Sequence, residues 1–261
     1  MNIIVCIKQV PDTTEVKIDP VTNTLIRQGV PSIVNPFDKN AVEAAIQLRE
    51  LHGGKVTILS MGPPQAKDAL KECIVMGADE AVLVSDRAFG GADTLATSYT
   101  LAAAIRALGK FDIILCGKQA IDGDTAQVGP EIAEYLNMPQ VTYAAKIELV
   151  NEKTLRVHRE QDDCYEVIEA QMPVMITAVK SLNEPRLGTV WGCVRACRGE
   201  IKLLTAADMP VNYDRLGLKG SPTQVRQIFT PEARGLGKII SGIPAAEAAE
   251  QLAQMLCKSI G

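Results

Sequence analysis

The chain has 261 residues, of which 47% are hydrophobic and 4% aromatic, and its formal net charge at pH 7 is −4. This balance argues against a general nucleic-acid-binding surface, and no apolar run reaches the roughly 20 residues that a membrane-spanning helix needs. Seven scattered cysteines and an N-terminus without a cationic leader predict a reduced, cytoplasmic protein.

The first two-thirds of the sequence alternate short β-rich runs with longer helical patterns. Strands are predicted at residues 3–7, 56–60, 81–84 and 113–116. Helices are predicted in NPFDKNAVEAAIQLRELHGG, GPPQAKDALKECIVMGAD and GGADTLATSYTLAAAIRALGK. A polar stretch from Pro11 to Val30 predicts a small hairpin or excursion. The alternation implies a parallel sheet with right-handed crossovers, whose strand carboxyl ends form the ligand crevice.

The pattern changes after about Tyr143. Four short runs, AKIELV, KTLRVHRE, CYEVIEAQ and VMITAV, predict antiparallel strands or an extension of the sheet. Regular patterning weakens after Ser181, and an amphipathic helix is predicted over residues 243–260. We therefore expect an α/β domain over residues 1–200 and a C-terminal arm over residues 201–261 that packs on another subunit. A helix that packs on its own domain is the alternative.

The most informative motif is CGKQAIDGDTAQVG at residues 116–129, which follows the fourth predicted strand. Its glycines, Gly117, Gly123 and Gly129, allow a close backbone approach or a positive φ. Backbone N–H groups in such a loop and in the helix after it form an anion site, where Thr125 and Gln127 can bond phosphate or ribose.

The acidic side chains of this motif suit a different role. Asp122 and Asp124 would repel a phosphate, so we expect them to orient the loop, to cap the helix or to bond ribose hydroxyls. Pro130 fits only the first turn of a helix, which therefore begins near Gln127. From the residues alone, a phosphate site and an ordinary strand-to-helix turn both remain open.

A second glycine-rich stretch, GGADT at residues 90–94, also precedes a helix, with Asp93 or Thr94 as the cap and Thr97 one turn further on. Alone it is weak evidence for a ligand. The sequence has no G-x-G-x-x-G dinucleotide fingerprint and no P-loop.

Side-chain catalysis and metal binding are poorly supported. The two histidines, His52 and His158, do not sit in polar loops beside a nucleophile, and the CxxxC pair Cys193 and Cys197 has no second pair to complete a metal site. We predict no catalytic residues and no metal ligands, so a cofactor must carry any chemistry.

Three motifs together resemble one family. VNPFD at residues 34–38, followed by AVEAAIQL, the loop GKQAIDGDTAQVG and SLNEPR at residues 181–186 resemble the β subunit of electron transfer flavoproteins in content and order. The resemblance implies a Rossmann-like α/β fold of the adenine-nucleotide-binding type, with helices on both faces of the sheet. It also implies a heterodimer with a larger α subunit and a function in electron transfer.

The resemblance also implies the nucleotide-binding residues. Those carried over from the family are Cys6, Asn35, Pro36, Phe37, Asp38, Met61, Lys118, Gln119, Ala120, Asp122, Gly123, Asp124, Thr125, Ala126, Gln127, Val128 and Gly129. Gly117 and the helix-start residues Asp93, Thr94 and Thr97 complete the predicted cofactor site.

Two branches of the family differ in ligand. One binds a structural AMP here and keeps one FAD in the α subunit, whereas the other binds a second FAD here and bifurcates electrons from NADH. The sequence Asp-Gly-Asp-Thr, the stretch GGADTLATSYTLA and the arm sequence RQIFTPEARGLGK resemble the bifurcating branch. Its implied partners are ferredoxin or flavodoxin and an acyl-CoA dehydrogenase or related flavoenzyme.

Two alternatives and one departure from the family pattern accompany this prediction. The chain could be an AMP-binding subunit of a non-bifurcating protein, or a stand-alone nucleotide-binding protein of the stress type. The leucine that docks dehydrogenases in some members falls near Val190, beside Trp191, and the lysine-rich run after it is RACRGEIK here.

Overall fold

The computed structural model describes residues 1–12, 31–226, 235, 237 and 239–260. Two compact units divide the chain, Met1–Arg226 and Gln227–Gly261, and each is described by itself. The hairpin expected between Pro11 and Val30 lies almost wholly outside the described residues.

The strands of the first unit follow the predicted alternation. They are β1 (Asn2–Cys6), β2 (Gln9–Pro11), β3 (Ser32–Val34), β4 (Lys55–Met61), β5 (Glu80–Val84), β6 (Ile113–Gly117), β7 (Gln140–Asn151), β8 (Thr154–Glu160), β9 (Tyr165–Gln171), β10 (Val174–Ala178) and β11 (Lys202–Leu204). The helices are α1 (Pro36–His52), α2 (Lys67–Met76), α3 (Thr94–Leu108), α4 (Val128–Leu136) and α5 (Val190–Arg198).

Within the described residues, a nine-stranded sheet has the order β11-β5-β4-β1-β6-β10-β7-β8-β9. The strands from β11 to β7 run parallel, and β8 and β9 extend the sheet antiparallel. The chain leaves β1 toward β4 and β5 on one side and later returns to β6 on the other. The carboxyl ends of β1 and β6 therefore flank a topological switch point, where open α/β sheets bind ligands.

Helices cover both faces of the parallel part, as the sequence predicts. Ile3 and Val5 of β1 point into a core shared with α1, α2 and α5. Ile4 points into the opposite core, which α3 and α4 complete. The alternation along β1 shows why its residues are aliphatic almost throughout: a strand buried on both faces has no solvent side.

The C-terminal part differs from the expected boundary. We expected an arm from residue 201, but β11 pairs in parallel with β5, and Leu216 is only 2% exposed. The first compact unit therefore continues to Arg226. The helix expected over residues 243–260 is α6 (Ala245–Ile260) of the second unit. Its packing on another subunit stays a prediction, and RQIFTPEARGLGK lies mostly outside the described residues.

Across the described ranges, no helix is both long enough and apolar enough to cross a membrane.

Candidate nucleotide-binding site

One buried carboxylate links the two strand ends at the switch point. Asp38, in the first turn of α1, accepts hydrogen bonds from the backbone N–H of Lys8 at 2.7 Å and from that of Gly117 at 2.9 Å. Lys8 follows β1 and Gly117 ends β6, so the side chain ties the two strand ends together. Asp38 is 5% exposed, which makes both bonds expensive to lose.

Burial controls the ionisation of the groups around this junction. It raises the pKa of Asp38 from 3.8 to about 7, while the N–H bonds from Lys8 and Gly117 and the side-chain bond from Asn35 oppose the rise. Burial, with the nearby Asp38 charge, also raises the pKa of the Cys6 thiol to about 12. Cys6 is therefore a neutral thiol that packs at the end of β1, and its environment does not favour a nucleophilic thiolate.

Asn35 holds the start of the predicted nucleotide loop. It precedes α1 but makes no side-chain cap bond to that helix. Its amide nitrogen instead donates to the Gln119 carbonyl at 2.8 Å, and its amide oxygen accepts from the Ile121 N–H at 3.2 Å. Asn35 is fully buried, so its side chain supports the loop from beneath.

The acidic side chains of the loop are used within the protein. Asp122 forms an ion pair with Lys8, with 2.7 Å between the Lys8 Nζ and the Asp122 Oδ1. Asp124 accepts a hydrogen bond from the Gln119 side chain. Of the three roles expected for these aspartates, the contacts correspond to orienting the loop, and a bond to ribose hydroxyls stays a prediction.

The backbone beyond Asp124 forms an open set of donors. Asp124 and Ala126 have φ values of 54° and 55°, and Gln127 then returns to the right-handed region at φ −98° and ψ −36°. A left-handed residue followed by a right-handed one turns successive N–H groups toward one point, which is the geometry of an anion-binding nest.

The N-terminus of α4 adds to this set. Gln127 is its N-cap and makes no side-chain cap bond, so the first helical N–H groups have no partner from the cap. Among the described residues, the exposed Thr125 hydroxyl has no hydrogen-bond partner either. The helix begins next to Gln127, as predicted, and its positive end faces the loop.

The N-terminus of α3 borders the same loop. Asp93 is its N-cap, as one of the two expected candidates, and accepts a hydrogen bond from the Ala96 N–H. The Thr94 hydroxyl lies 3.0 Å from Gln127 Oε1 and 3.2 Å from Glu131 Oε1. The other Glu131 oxygen is buried and has no partner in the described part of the chain.

The three glycines of the motif have two different roles. A Cβ at Gly117 would lie 2.6 Å from the Cβ of Phe37, and one at Gly129 would lie 2.8 Å from Thr177. These two positions need glycine because other parts of the chain approach closely. A Cβ at Gly123 would meet nothing within 4 Å, and the positive φ values belong to Asp124 and Ala126 instead.

The structure brings most of the predicted site residues to one edge of the sheet. The α1 start, the α3 start and the loop are linked by the bonds above. Cys6 and Met61 end β1 and β4 at the same edge. Thr97 lies one turn further along α3, and in the described structure its side chain makes no hydrogen bond to the loop.

Sequence reasoning missed several supporting residues. Lys8 and Glu131 contact the loop, yet neither belongs to a recognisable motif. Thr177 packs beneath Gly129 and accepts a hydrogen bond from the N–H of Tyr143, whose φ is 59°. The pairing of β7 with β10 has a β-bulge at this point, and the sequence there has no glycine or proline that would have predicted it.

Two of the quoted motifs contact one another. Arg186 of SLNEPR bonds Glu43 of α1 at 2.8 Å and Glu50 at 2.6 Å, and Glu43 is 3% exposed. Asn40 donates to the Asn183 carbonyl at 2.7 Å. The segment is thus fastened to α1, and the residues after it, Leu187, Val190 and Trp191, are 91%, 81% and 78% exposed.

In the part of the chain that the structure describes, no group of three or more His, Cys, Asp and Glu side chains could hold a metal ion.

A parallel sheet with helices on both faces and an open helix N-terminus at the switch point define a Rossmann-like α/β protein. The chain belongs to the electron transfer flavoprotein family, since the model described as "Electron transfer flavoprotein domain" matches residues 22–209. The predicted resemblance is thereby confirmed at the level of family and fold.

The similar curated proteins agree with this assignment. The chain is 57% identical to "Electron transfer flavoprotein subunit beta" of Clostridium acetobutylicum over 256 residues, 98% of each chain. It is 52% identical to "Caffeyl-CoA reductase-Etf complex subunit CarD" of Acetobacterium woodii, over 98% of each chain. It is 48% identical to "Protein FixA" of Azorhizobium caulinodans, over 90% of this chain and 86% of that one.

Proposed function

We propose that this chain is the β subunit of a heterodimeric electron transfer flavoprotein and that residues 117–129 bind FAD. The complex oxidises NADH and bifurcates its two electrons. One goes to a low-potential acceptor such as ferredoxin or flavodoxin. The other goes through the α-subunit FAD to an acyl-CoA dehydrogenase or related flavoenzyme.

The observation that carries this proposal is the open nest at Ala126 and Gln127, next to the uncapped start of α4. Successive N–H groups and a positive helix end suit the phosphates of a dinucleotide. The Thr125 hydroxyl is exposed beside them and adds one donor.

The described residues have separate tasks in this proposal. Thr125 and the nest hold phosphate, while Asn35 and Asp38 keep the loop and the two strand ends in place from below. A bound FAD would supply the one- and two-electron redox chemistry that the side chains lack. The chain itself binds, orients and partly shields the nucleotide, and no side chain of the site needs to gain or lose a proton for that.

The choice of FAD over AMP rests on space at Gly123. A Cβ there would meet no atom of the protein within 4 Å, so the loop leaves room above its exposed face. A dinucleotide extends beyond the AMP portion and needs such room. A structural AMP in a non-bifurcating subunit is the second candidate, since the same nest would hold its single phosphate.

The exposed segment after SLNEPR supports a flavoenzyme partner. Leu187, Val190 and Trp191 present apolar surface on a segment that Arg186 anchors to α1. Large exposed apolar side chains on an anchored segment are typical of an interaction site. The relative CarD is named as a subunit of a caffeyl-CoA reductase-Etf complex. That name favours an enzyme of CoA esters as the partner here.

The deciding experiment is to co-express this chain with its α subunit and to count bound nucleotides per heterodimer after denaturation. Two FAD and no AMP are expected. One FAD and one AMP would replace the bifurcating proposal with the structural-AMP alternative. Purification of this chain alone as a stable, nucleotide-loaded monomer or homodimer would favour a stand-alone binding protein.

A further inference from the structure

Residues 216–223, which we call the strap, run along the start of α3. Leu216 is buried, and the Leu218 N–H donates to the Gly90 carbonyl at 2.9 Å. Gly217 has a φ of 50°, and a Cβ there would lie 2.3 Å from the Ala88 carbonyl oxygen. The strap therefore lies in close backbone contact with the residues just before α3, and this path needs glycine at Gly217.

The strap holds the cap of α3 from both sides. The Ser221 hydroxyl accepts a hydrogen bond from the Asp93 N–H at 2.8 Å and donates to the Gly217 carbonyl at 2.8 Å. The Thr223 N–H and hydroxyl donate to Asp93 Oδ2 at 3.1 and 2.9 Å. The other carboxylate oxygen of Asp93 remains on the Ala96 N–H at 3.1 Å.

These contacts favour an ionised, fixed Asp93. Burial alone would raise its pKa, but the hydrogen bonds that Ala96 and Thr223 donate to the carboxylate outweigh burial and keep the pKa below its usual value. A charged cap with several donors resists rotation more than a cap with one bond, because each rotation breaks several charge-assisted bonds. The start of α3 is therefore set by the strap as well as by the helix itself.

The next residue connects α3 to the proposed nucleotide loop. The hydroxyl of Thr94 reaches Gln127 and Glu131, and Gln127 is both the N-cap of α4 and the last residue of the nest. A continuous series of hydrogen bonds thus runs from Thr223 through Asp93, along one peptide bond to Thr94, and on to Gln127. Its two ends are 96 positions apart in the sequence, and no motif links them.

We propose that Thr223 and Ser221 are positioning residues for the nucleotide site, acting on Gln127 and Glu131 through Asp93 and Thr94. This inference rests on the proposed function, because it assumes that the nest binds a nucleotide. It adds a coupling: order in the strap favours nucleotide binding, and by linkage nucleotide binding favours order in the strap.

The test measures nucleotide affinity in the co-expressed heterodimer. After removal of bound nucleotide, FAD and AMP are titrated separately into wild type, Thr223→Val and Thr223→Ser. Valine keeps the shape but removes the hydroxyl donor to Asp93, so affinity should fall about fivefold. Serine keeps the hydroxyl and should restore affinity to within about twofold of wild type.

One control variant and two further measurements separate positioning from a general loss of stability. Thr189→Val is the control: it removes a threonine hydroxyl whose hydrogen-bond donor is the Gly192 N–H at the start of α5, not a residue of the loop, and it should leave nucleotide affinity unchanged. Ser221→Ala removes the second strap contact and should weaken binding in the same direction as Thr223→Val. Hydrogen exchange at the Thr223 amide should slow when nucleotide is added to wild type.

The outcomes are distinguishable. Equal affinities for wild type and Thr223→Val, or strap exchange that nucleotide does not change, would overturn the positioning inference and leave the proposed function intact. A wild-type heterodimer that binds neither FAD nor AMP at this subunit would overturn both.

Discussion

The starts of α1 and α4 both lie at the carboxyl edge of the sheet, and neither helix has a side-chain cap. They differ in the polar groups beside them. Next to the start of α1, Asp38 accepts hydrogen bonds from the backbone N–H groups of Lys8 and Gly117, and Asn35 bonds the loop above it. The start of α4 is left open, with no side-chain cap at Gln127 and a nest of N–H groups beside it.

The difference separates support from binding. Both helix ends offer N–H donors and a positive dipole end, so neither feature alone identifies a ligand site. What differs is whether the polar side chains beside the helix start already have partners within the chain. Beside α1 the Asp38 carboxylate, which is 5% exposed, accepts two backbone hydrogen bonds, whereas at α4 the neighbouring Thr125 is exposed and unpartnered among the described residues. We therefore expect substitutions at α1 to affect folding and substitutions near α4 to affect binding.

The largest effect is expected from Asp38→Ala. The substitution leaves the N–H groups of Lys8 and Gly117 without an acceptor, and each such loss costs up to about 1–3 kcal/mol. The free energy of unfolding in urea should fall by about 2–6 kcal/mol. Asp68→Ala, at an exposed position in the first turn of α2, is the matched control and should change stability by less than about 0.5 kcal/mol. Equal effects of the two variants would contradict the claim that Asp38 stabilises the fold by linking the ends of β1 and β6.

A second effect appears in the pH dependence of stability. The pKa of Asp38 is raised to about 7 in the folded protein, above its ordinary value of 3.8, so the folded state binds a proton that the unfolded state does not. Its contribution is complete below pH 4 and is lost as pH rises through 7, at no more than about 1.4 kcal/mol per pH unit.

The measurement compares wild type with Asp38→Asn by urea unfolding at pH 5 and pH 8. Asparagine cannot titrate, so subtraction removes the pH dependence of all other groups. The stability deficit of the variant should be smaller at pH 8 than at pH 5. A deficit that is the same at pH 5 and pH 8 would show that the pKa of Asp38 is not raised in the folded state.

At α4 the expected change is in affinity. Thr125→Val removes the exposed hydroxyl and should weaken nucleotide binding by about 1.5–3 kcal/mol, the range for a hydrogen bond to a charged group. Gly123→Val places a branched side chain over the open face and should weaken FAD binding by about 1–2 kcal/mol, with Gly123→Ala as the smaller, graded control. Unfolding free energies should stay near wild type because neither side chain meets the protein. Full flavin content and NADH activity in both valine variants would show that the nucleotide does not bind at this loop.

The sequence predicted the fold and the position of this edge well. Strand periodicity gave β1, β4, β5 and β6, and the change after Tyr143 corresponds to the antiparallel extension by β8 and β9. These features follow from local patterns of burial, which the side chains of each strand carry themselves.

The division of labour at the edge could not be predicted in the same way. Asn35 has the residue type of an N-cap, yet its side chain bonds Gln119 and Ile121 more than 80 positions away. The sequence predicted a positive φ or a close backbone approach at Gly123, but the left-handed conformations belong to Asp124 and Ala126. Both outcomes depend on which loop lies next to which helix start, and periodicity carries no information about that.

The smallest effect is expected from Lys8→Gln, which breaks the ion pair between Lys8, just after β1, and Asp122 of the nucleotide loop. The Lys8 side chain is 50% exposed and that of Asp122 28%, so their ion pair is largely solvated and worth at most about 1 kcal/mol. Unfolding free energy and nucleotide affinity should each change by less than that amount. Both changes should vanish near 1 M salt, where the screening length is about 3 Å.

Lys39→Gln breaks the ion pair with Glu72 and is the control away from the loop. It should reproduce the small change in stability without any change in affinity. A loss from Lys8→Gln as large as that from Asp38→Ala would mean that the outer loop is held as firmly as the buried junction beneath it.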